Sequence, residues 1–357
     1  MDFSNLFDIL RWSYTKLSYN NRYGKALIPL RYFLELTYRC NLSCPYCYIG
    51  EERNKQELTT EEWKKVINQI PFYGIITLVG GEPFLRKDFD ELLEYSCKKT
   101  LKKVHVVSNG ILLDRDKIES FKKYKPILLS VSLDGYGETH DKNRGKGGIF
   151  DKIISNLKEL KSQAPKQMID IKTIVLENNL DNLVKLYKLC DKERFNFLSV
   201  SFLRNNHWKQ NSVLQENFIP EFTQNYPIEL YFDIEHFKEV YKEIESLSKK
   251  SNVKLRFAPK FEYMKNPLEG IEKFFQTPSD KPVNEIYKPC LYPYSDMMIN
   301  PEGFVYPCLS LKIGNVKEKS LKGLYNDPKY CCFRKNLKAS GGTFGACQLC
   351  CECKLKG

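Results

Sequence analysis

Cys40-Asn41-Leu42-Ser43-Cys44-Pro45-Tyr46-Cys47 follows Tyr32-Phe33-Leu34-Glu35-Leu36-Thr37-Tyr38 with one residue between them. The earlier run is rich in residues that favour a pleated, half-buried backbone and predicts a strand. Three thiols, spaced by four and then three residues, therefore sit on the loop at that strand's carboxyl end. Three thiolates on one loop can hold three corners of a cubic iron–sulfur cluster, whose usual complement is four. The remaining iron is then an open, Lewis-acidic position for a small molecule. A zinc site more often pairs two Cys-x-x-Cys units to reach four tetrahedral ligands, and this loop has three cysteines with no fourth beside them.

Outward from that loop the pattern alternates. A helix opens near Thr60, which can cap it, and runs through Glu61, Glu62, Trp63 and Ile67. Strands are expected over 74–79, 103–107, 127–133, 168–176 and 195–202, with helices over 88–100, 114–123, 149–162 and 180–190 between them. About six strand–helix alternations predict an α/β fold of parallel βαβ units, wound right-handed. Residues 204–233 break the rhythm with a polar loop too long for a plain connection. A helix follows over 236–250, and after about residue 265 the texture turns to Pro, Gly and Cys. We therefore expect an amino-terminal amphipathic helix within 1–30, carrying Phe3, Leu6, Phe7, Leu10, Trp12 and Leu17 on one stripe, a core over 31–265 and a smaller unit over 266–357.

Composition narrows the function. The chain has 357 residues, 42% of them hydrophobic and 28% charged, which suits an ordinary globular protein with a sizeable core. No run of eighteen apolar residues is present and the amino terminus lacks an export signal, so a cytoplasmic protein without membrane contact is expected. The formal charge is +12. Its lysines and arginines are spread along most helices among acids, which argues against a nucleic-acid footprint. In a reducing compartment, thirteen cysteines point to metal ligands before disulfides. Cys97 and Cys190 stand alone in helical patterns and read as small core residues. Eight more crowd the last sixty-eight residues: Cys290, Cys308, Cys331, Cys332, Cys347, Cys350, Cys351 and Cys353.

In a parallel α/β barrel the loops at the strands' carboxyl ends build the active site. After the cysteine loop, the following strand ends carry Gly80-Gly81-Glu82-Pro83, then Ser108-Asn109-Gly110, then Ser132-Leu133-Asp134-Gly135 with Arg144 beyond. Glycines let a ligand approach the backbone, and the carboxylate, hydroxyl, amide and guanidinium groups suit an ammonium, a ribose and a carboxylate. His140 and His207 could face such a pocket, although histidines so placed are more often plain surface residues.

Residues 32–205 resemble the radical S-adenosylmethionine (radical SAM) family, in the cysteine spacing with its aromatic Tyr46 and in Gly80-Gly81-Glu82-Pro83. The resemblance implies a partial (β/α)6 barrel in which Cys40, Cys44 and Cys47 ligate a [4Fe–4S] cluster. It further implies that the open iron is chelated by S-adenosylmethionine, with Gly80, Gly81 and Glu82 at its amino group. Ser108, Asn109, Ser132 and Arg144 would lie at ribose or carboxylate. The implied chemistry is reductive cleavage to a 5′-deoxyadenosyl radical that takes hydrogen from a substrate. The electron would come from a partner such as flavodoxin or ferredoxin.

The carboxyl-terminal cysteines extend the likeness. Met297-Met298-Ile299-Asn300-Pro301-Glu302-Gly303-Phe304-Val305-Tyr306 predicts a β-hairpin that brings Cys290 and Cys308 together. Cys290, Gly303 and Cys308 resemble the opening of the SPASM or twitch extension, which holds auxiliary clusters. The implied ligands of one auxiliary [4Fe–4S] cluster are Cys290, Cys308, Cys347 and Cys350, with Cys350 and Cys353 as the alternative register. Cys331 and Cys332 are left over, and zinc suits four such thiolates as well. Such a cluster would accept an electron from the substrate radical. A peptide-modifying maturase heads the expected activities, aided by a separate recognition protein. The alternatives are a small-molecule dehydrogenase or epimerase acting on a sugar or aminocyclitol, and a non-catalytic scaffold.

Overall fold

The structure is a computed structural model that describes residues 13–47, 49, 55–202, 233–259, 264–275, 283–308, 311–344, 347, 350 and 354–356. Its strands are β1 (Arg31–Glu35), β2 (Ile75–Val79), β3 (Val104–Ser108), β4 (Leu128–Ser132), β5 (Ile169–Val175), β6 (Phe197–Phe202), β7 (Lys254–Ala258), β8 (Asp296–Ile299), β9 (Phe304–Tyr306) and β10 (Gly314–Asn315). They form one sheet in the order β10-β9-β8-β1-β2-β3-β4-β5-β6-β7. From β8 to β7 every neighbour is parallel, and only β9 and β10 run antiparallel. The helices are α1 (Thr60–Asn68), α2 (Phe89–Lys99), α3 (Arg115–Tyr124), α4 (Glu138–Arg144), α5 (Ile149–Gln163), α6 (Asn182–Lys192), α7 (Ile234–Ser248), α8 (Pro267–Phe275), α9 (Leu321–Tyr325) and α10 (Pro328–Ala339), with a four-residue turn of helix at Val283–Ile286.

The alternation of each strand explains the layering. Leu34, Leu78, Val106, Leu129, Val131, Ile171, Leu198 and Val200 are fully buried against the apolar faces of the helices, in one continuous core. Trp63 of α1, Phe89 of α2, Phe121 of α3, Leu157 of α5 and Phe237 of α7 cover that face. Each such side chain contributes roughly 1.5–3 kcal/mol by leaving water. The opposite, concave face is polar: His105, Ser130, Asp170 and Ser199 lie there in successive hydrogen bonds. The six expected alternations are present, and α/β with a parallel sheet is the observed class.

Several local expectations change. The cap of α1 is Thr59, not Thr60: its hydroxyl accepts from Glu62 N while the Glu62 carboxylate accepts from Thr59 N. Thr60 instead donates to Asp88. A seventh parallel strand, β7, pairs with β6. Its Lys-Leu-Arg-Phe-Ala pattern has one apolar face too short to stand out in the sequence. Residues 13–20 are helical, yet Leu17 is 68% exposed while Thr15 and Ser18 are buried. The rest of that stripe lies outside the described residues, as does nearly all of the loop expected over 204–233.

Arg334 of α10 closes the carboxyl-terminal part. It is fully buried and donates to Pro293 O (2.8 Å), Tyr325 O (2.8 Å) and Gly24 O (3.2 Å), with Tyr330 and Tyr325 rings 3.9 and 4.2 Å from its guanidinium. One side chain thereby joins the segment before β1 to two loops far away in sequence. Replacing Arg334 with Met strands three carbonyls. We expect a loss of about 3 kcal/mol at roughly 1 kcal/mol for each, read from urea unfolding; an unchanged midpoint would disprove this joining role.

Candidate functional site

The loop after β1 is held from below by the loop after β2. Gly81 N donates to Thr37 O at 2.7 Å and Glu82 N donates to Arg39 O at 2.8 Å, so the two chains run together up to Cys40. A side chain at Gly81 would begin 2.2 Å from Arg39 O, and Gly80 has φ +139° with Thr37 O 2.5 Å from a hypothetical Cβ. These glycines are needed because one loop lies against the other. Glu57 adds a second fastening, accepting from Thr37 Oγ1 at 2.7 Å and Tyr38 N at 2.8 Å.

Glu82 is buried, and its carboxylate accepts from Ser108 Oγ (2.8 Å), Asn109 N (2.7 Å) and Phe84 N (3.1 Å). It ties the end of β2 to the end of β3. Asn109 Nδ2 in turn donates to Asn41 Oδ1 at 2.7 Å and reaches Cys40 Sγ at 4.0 Å. Burial pushes the pKa of Glu82 up to about 7, against the lowering effect of the bonds from Asn109, Phe84 and Ser108 and of the Arg144 charge. A cationic group brought to this corner would meet a carboxylate poised to ionise.

A second anchor stands on the other side. Asp134, just past the end of β4, is fully buried and pairs with Arg144 Nη2 at 2.6 Å. It also accepts the Tyr46 hydroxyl in a short bond and Ile174 N at 2.9 Å. Arg144 Nη1 points at Cys44 Sγ, 3.8 Å away. Burial opposes the Arg144 charge, but Asp134, Tyr46 and Cys44 together hold the guanidinium protonated beyond its usual range. Arg144 Nε is buried without a partner among the described residues. His140 is buried too, contrary to the surface expectation. Its Nδ1 accepts from Asp134 N at 3.0 Å, and burial followed by the Arg144 charge pushes its pKa down to about 4.

The structure thus gathers Cys40, Cys44, Glu82, Ser108, Asn109 and Arg144 about one rim, with Cys47 on the turn closed by Cys47 N to Cys44 O at 3.1 Å. Ser132 ends β4 in register with Lys172. All three loop cysteines are free and partly exposed. Burial raises the Cys40 and Cys44 thiols, with Arg144 pulling Cys44 the other way. Partly open thiols beside a fixed cation fit a cluster whose ligands must be deprotonated. Among the described residues no three His, Cys, Asp or Glu side chains close tightly enough for a single ion. Glu57 and the hydroxyl of Tyr46 carry no signal in the sequence, and Asp134 stands there only as part of the strand-end motif. The signal for Asp134 was present, as an acid ending the same strand as Ser132.

At the other end, Cys290, Cys308 and Cys347 border the buried group Tyr294, Phe333, Leu337 and Phe344. Cys290 N donates to Gly342 O (2.8 Å), Phe344 N donates to Cys347 Sγ (3.3 Å) and Cys350 N donates to Cys347 O (3.1 Å). Four of the expected thiols therefore belong to one neighbourhood, and Cys350 is the buried one. Cys331 turns its sulfur to Asn326 O, and Cys332 is exposed. Cys351 and Cys353 lie outside the described residues, so the alternative register does as well. Cys97 and Cys190 are buried core residues, as expected.

Residues 34–190 match the radical SAM superfamily, and residues 290–354 match SPASM, an iron–sulfur cluster-binding domain. The chain contains a radical SAM domain and, at its carboxyl end, a SPASM domain. It carries the cofactors of that class, a [4Fe–4S] cluster with S-adenosylmethionine and further iron–sulfur binding in the SPASM domain. It is 39% identical over 140 residues to the antilisterial bacteriocin subtilosin biosynthesis protein AlbA of Bacillus subtilis (strain 168), covering 37% of this chain and 31% of that one. It is 29% identical over 327 residues to the AdoMet-dependent heme synthase of Methanosarcina barkeri (strain Fusaro / DSM 804), covering 88% and 86%. The segments that match at 33% identity or more span 29–40% of the relatives concerned. In fold, the chain is similar to SuiB of Streptococcus suis, with TM-score 0.66, 18% identity, and 97% and 77% of the two chains covered. No described helix is long and apolar enough to cross a membrane.

Two measurements check this site. Gly81→Ala drives a methyl into Arg39 O and displaces the cysteine loop, so we expect it to lose about half or more of the iron bound at that loop on anaerobic reconstitution. Wild-type iron content would show that the close approach is dispensable. The second concerns Glu82, whose folded pKa of about 7 lies above the ordinary 4.5. Its stabilising contribution is complete below about 4.5 and is lost as pH rises through about 7. In urea unfolding of the iron-free chain, wild type should lose about 3 kcal/mol relative to Glu82→Gln between pH 4.5 and 8. A pH-independent difference would contradict the assignment.

Proposed function

We propose that this protein is a peptide-modifying maturase that cleaves S-adenosylmethionine reductively. The observation that carries the cofactor chemistry is the convergence of the buried Glu82 carboxylate and the Asp134–Arg144 pair on the loop of Cys40, Cys44 and Cys47. When bound, cluster and S-adenosylmethionine supply an electron and a 5′-deoxyadenosyl radical that removes hydrogen from the substrate. The chain's own residues would then do the positioning. Cys40, Cys44 and Cys47 hold the cluster. Gly80, Gly81 and Glu82 face the amino group, and Ser108, Asn109, Ser132 and Arg144 serve ribose or carboxylate. Cys290, Cys308, Cys347 and Cys350 hold an auxiliary cluster that takes up the electron left on the substrate.

A peptide substrate is supported by the likeness to AlbA and to the sporulation killing factor maturation protein SkfB, 33% identical over 168 residues. A second reading, a small-molecule substrate, is favoured by one observation: the heme synthase match runs over nearly the whole of both chains. A reducing protein such as flavodoxin or ferredoxin would supply the electron, and a cytoplasmic setting would suit its oxygen-sensitive chemistry.

Anaerobic reconstitution should give about eight irons per chain, as for two [4Fe–4S] clusters; about four would remove the auxiliary cluster. Dithionite-reduced enzyme should release 5′-deoxyadenosine, and none from wild type would end the enzyme reading. Cys44→Ala should abolish that release, whereas Cys308→Ala should keep it and stop substrate turnover. Conversion of a precursor peptide encoded beside the gene distinguishes peptide from small molecule.

A further inference from the structure

Below the cofactor rim, the concave face of the sheet carries a polar group with no role in that site. His105 on β3 meets Ser130 Oγ on β4 at 2.8 Å, and Ser130 Oγ donates to Asp170 Oδ2 on β5 at 2.8 Å. Ser199 Oγ on β6 donates to Asp170 Oδ1 at 2.7 Å. Asp170 is thus buried and engaged by two hydroxyls from either side. These bonds fix which face of β4, β5 and β6 looks inward, because Leu129, Ile171 and Leu198 point to the helices.

The next row up follows from register. Ser132 pairs with Lys172, Lys172 with Ser199, and Ser199 with Arg256, placing the four side by side on β4, β5, β6 and β7. The Arg256 guanidinium lies 3.5 Å from the centre of the Phe197 ring, which is on the same face. Strand alternation puts Lys172 and Arg256 on the face of His105, whose pKa is held far below its ordinary value by burial and then by the charges of Lys172, Arg31 and Arg256. Of the three, Arg31 is neutralised by Asp296 at 2.7 Å. Lys172 and Arg256 have no ion-pair partner among the described residues; Lys172 is half-buried and Arg256 is exposed. Lys172 and Arg256 thus share the inward face with the hydroxyl-bound Asp170 carboxylate and the buried Glu35 of β1.

We propose that Lys172 and Arg256 form a docking site for a carboxylate of the substrate, on the inward face of β5 and β7. The inference rests on the peptide reading for its source, an acidic side chain of the peptide. Arg256 offers a planar fork that matches a carboxylate, and Lys172 adds a point charge. Ser132 stands at the end of the row with a hydroxyl donor. Such an anchor two to three residues short of the ends of β5 and β7 would set which hydrogen of the peptide faces the rim.

The test uses reconstituted holoenzyme saturated with S-adenosylmethionine, so that the cofactor's own carboxylate is already placed. Acetylation of Lys172 is followed by mass spectrometry with glutarate, with the uncharged glutaramide, and with neither. Lys98, which is 73% exposed and paired only to Glu94, is the internal control. We expect glutarate at millimolar concentration to slow Lys172 labelling by about threefold or more, the effect of roughly 0.7 kcal/mol of ion pairing. Glutaramide should do nothing, and Arg256→Gln should cancel the protection. In parallel, wild type should retain a pool of random decapeptides containing one Glu over the same pool with Gln. Glutarate protection with no retention of either pool would keep the carboxylate site and reject the peptide as its source. Equal labelling of Lys172 with and without glutarate would overturn the proposal. So would a fall in S-adenosylmethionine affinity in Lys172→Gln/Arg256→Gln as large as the loss of glutarate protection, since the cations would then belong to the cofactor.

Discussion

Glu82 is the constraint on which the upper rim depends. A carboxylate taken out of water must find donors, and this one finds three from two different strand ends. Its own backbone N–H, with that of Gly81, reaches back to the chain that leads into Cys40. One residue therefore fixes the relative height of three successive loops. The cysteine loop has little regular structure of its own, and its position is borrowed from these bonds. A loop that must hold a cluster in one place gains more from such outside fastening than from internal hydrogen bonds.

Asp134 plays the matching part across the rim. It is a buried acid that would be costly alone, and it is made tolerable by Arg144, Tyr46 and Ile174 N. Tyr46 belongs to the cysteine motif itself, so the acid grips the cluster loop directly. The same contact leaves one face of the Arg144 guanidinium near Cys44. A cation held at that spot works against the burial that raises the Cys44 thiol. Positive charge at Arg144 beside Cys44 and the buried Glu82 carboxyl group across from it give the rim an electrical polarity. A zwitterionic amino acid would be oriented by it.

Much of this was legible in the sequence because it rests on local pattern. Hydrophobic periodicity found the βα units, since one face of each strand must meet a helix. The cysteine spacing and the strand-end residues marked the rim, because ligands must come from loops. What escaped detection depends on contacts far apart in sequence. Thr59 rather than Thr60 caps α1 because Asp88 claims Thr60. His140 is buried because the short helix α4 folds under Asp134, an arrangement no spacing reveals. The inward-facing Lys172 and Arg256 read as ordinary exposed charges until register places them on one wall. Strand β7 escaped for the same reason, as its charged face looks like solvent-facing alternation.

The SPASM hairpin joins the sheet through β8, which lies parallel to β1 and is pinned by Asp296 to Arg31. The extension is consequently not an appendage hung on a linker. It occupies the hydrogen-bonding edge of the strand that launches the cysteine loop. Without it β1 would present an open edge, a template for pairing with another chain. The regions that match the two family models therefore share one backbone lattice. Backbone pairing along four residues of β1 denies the hairpin any freedom to swing away from the strand that carries the cysteine loop.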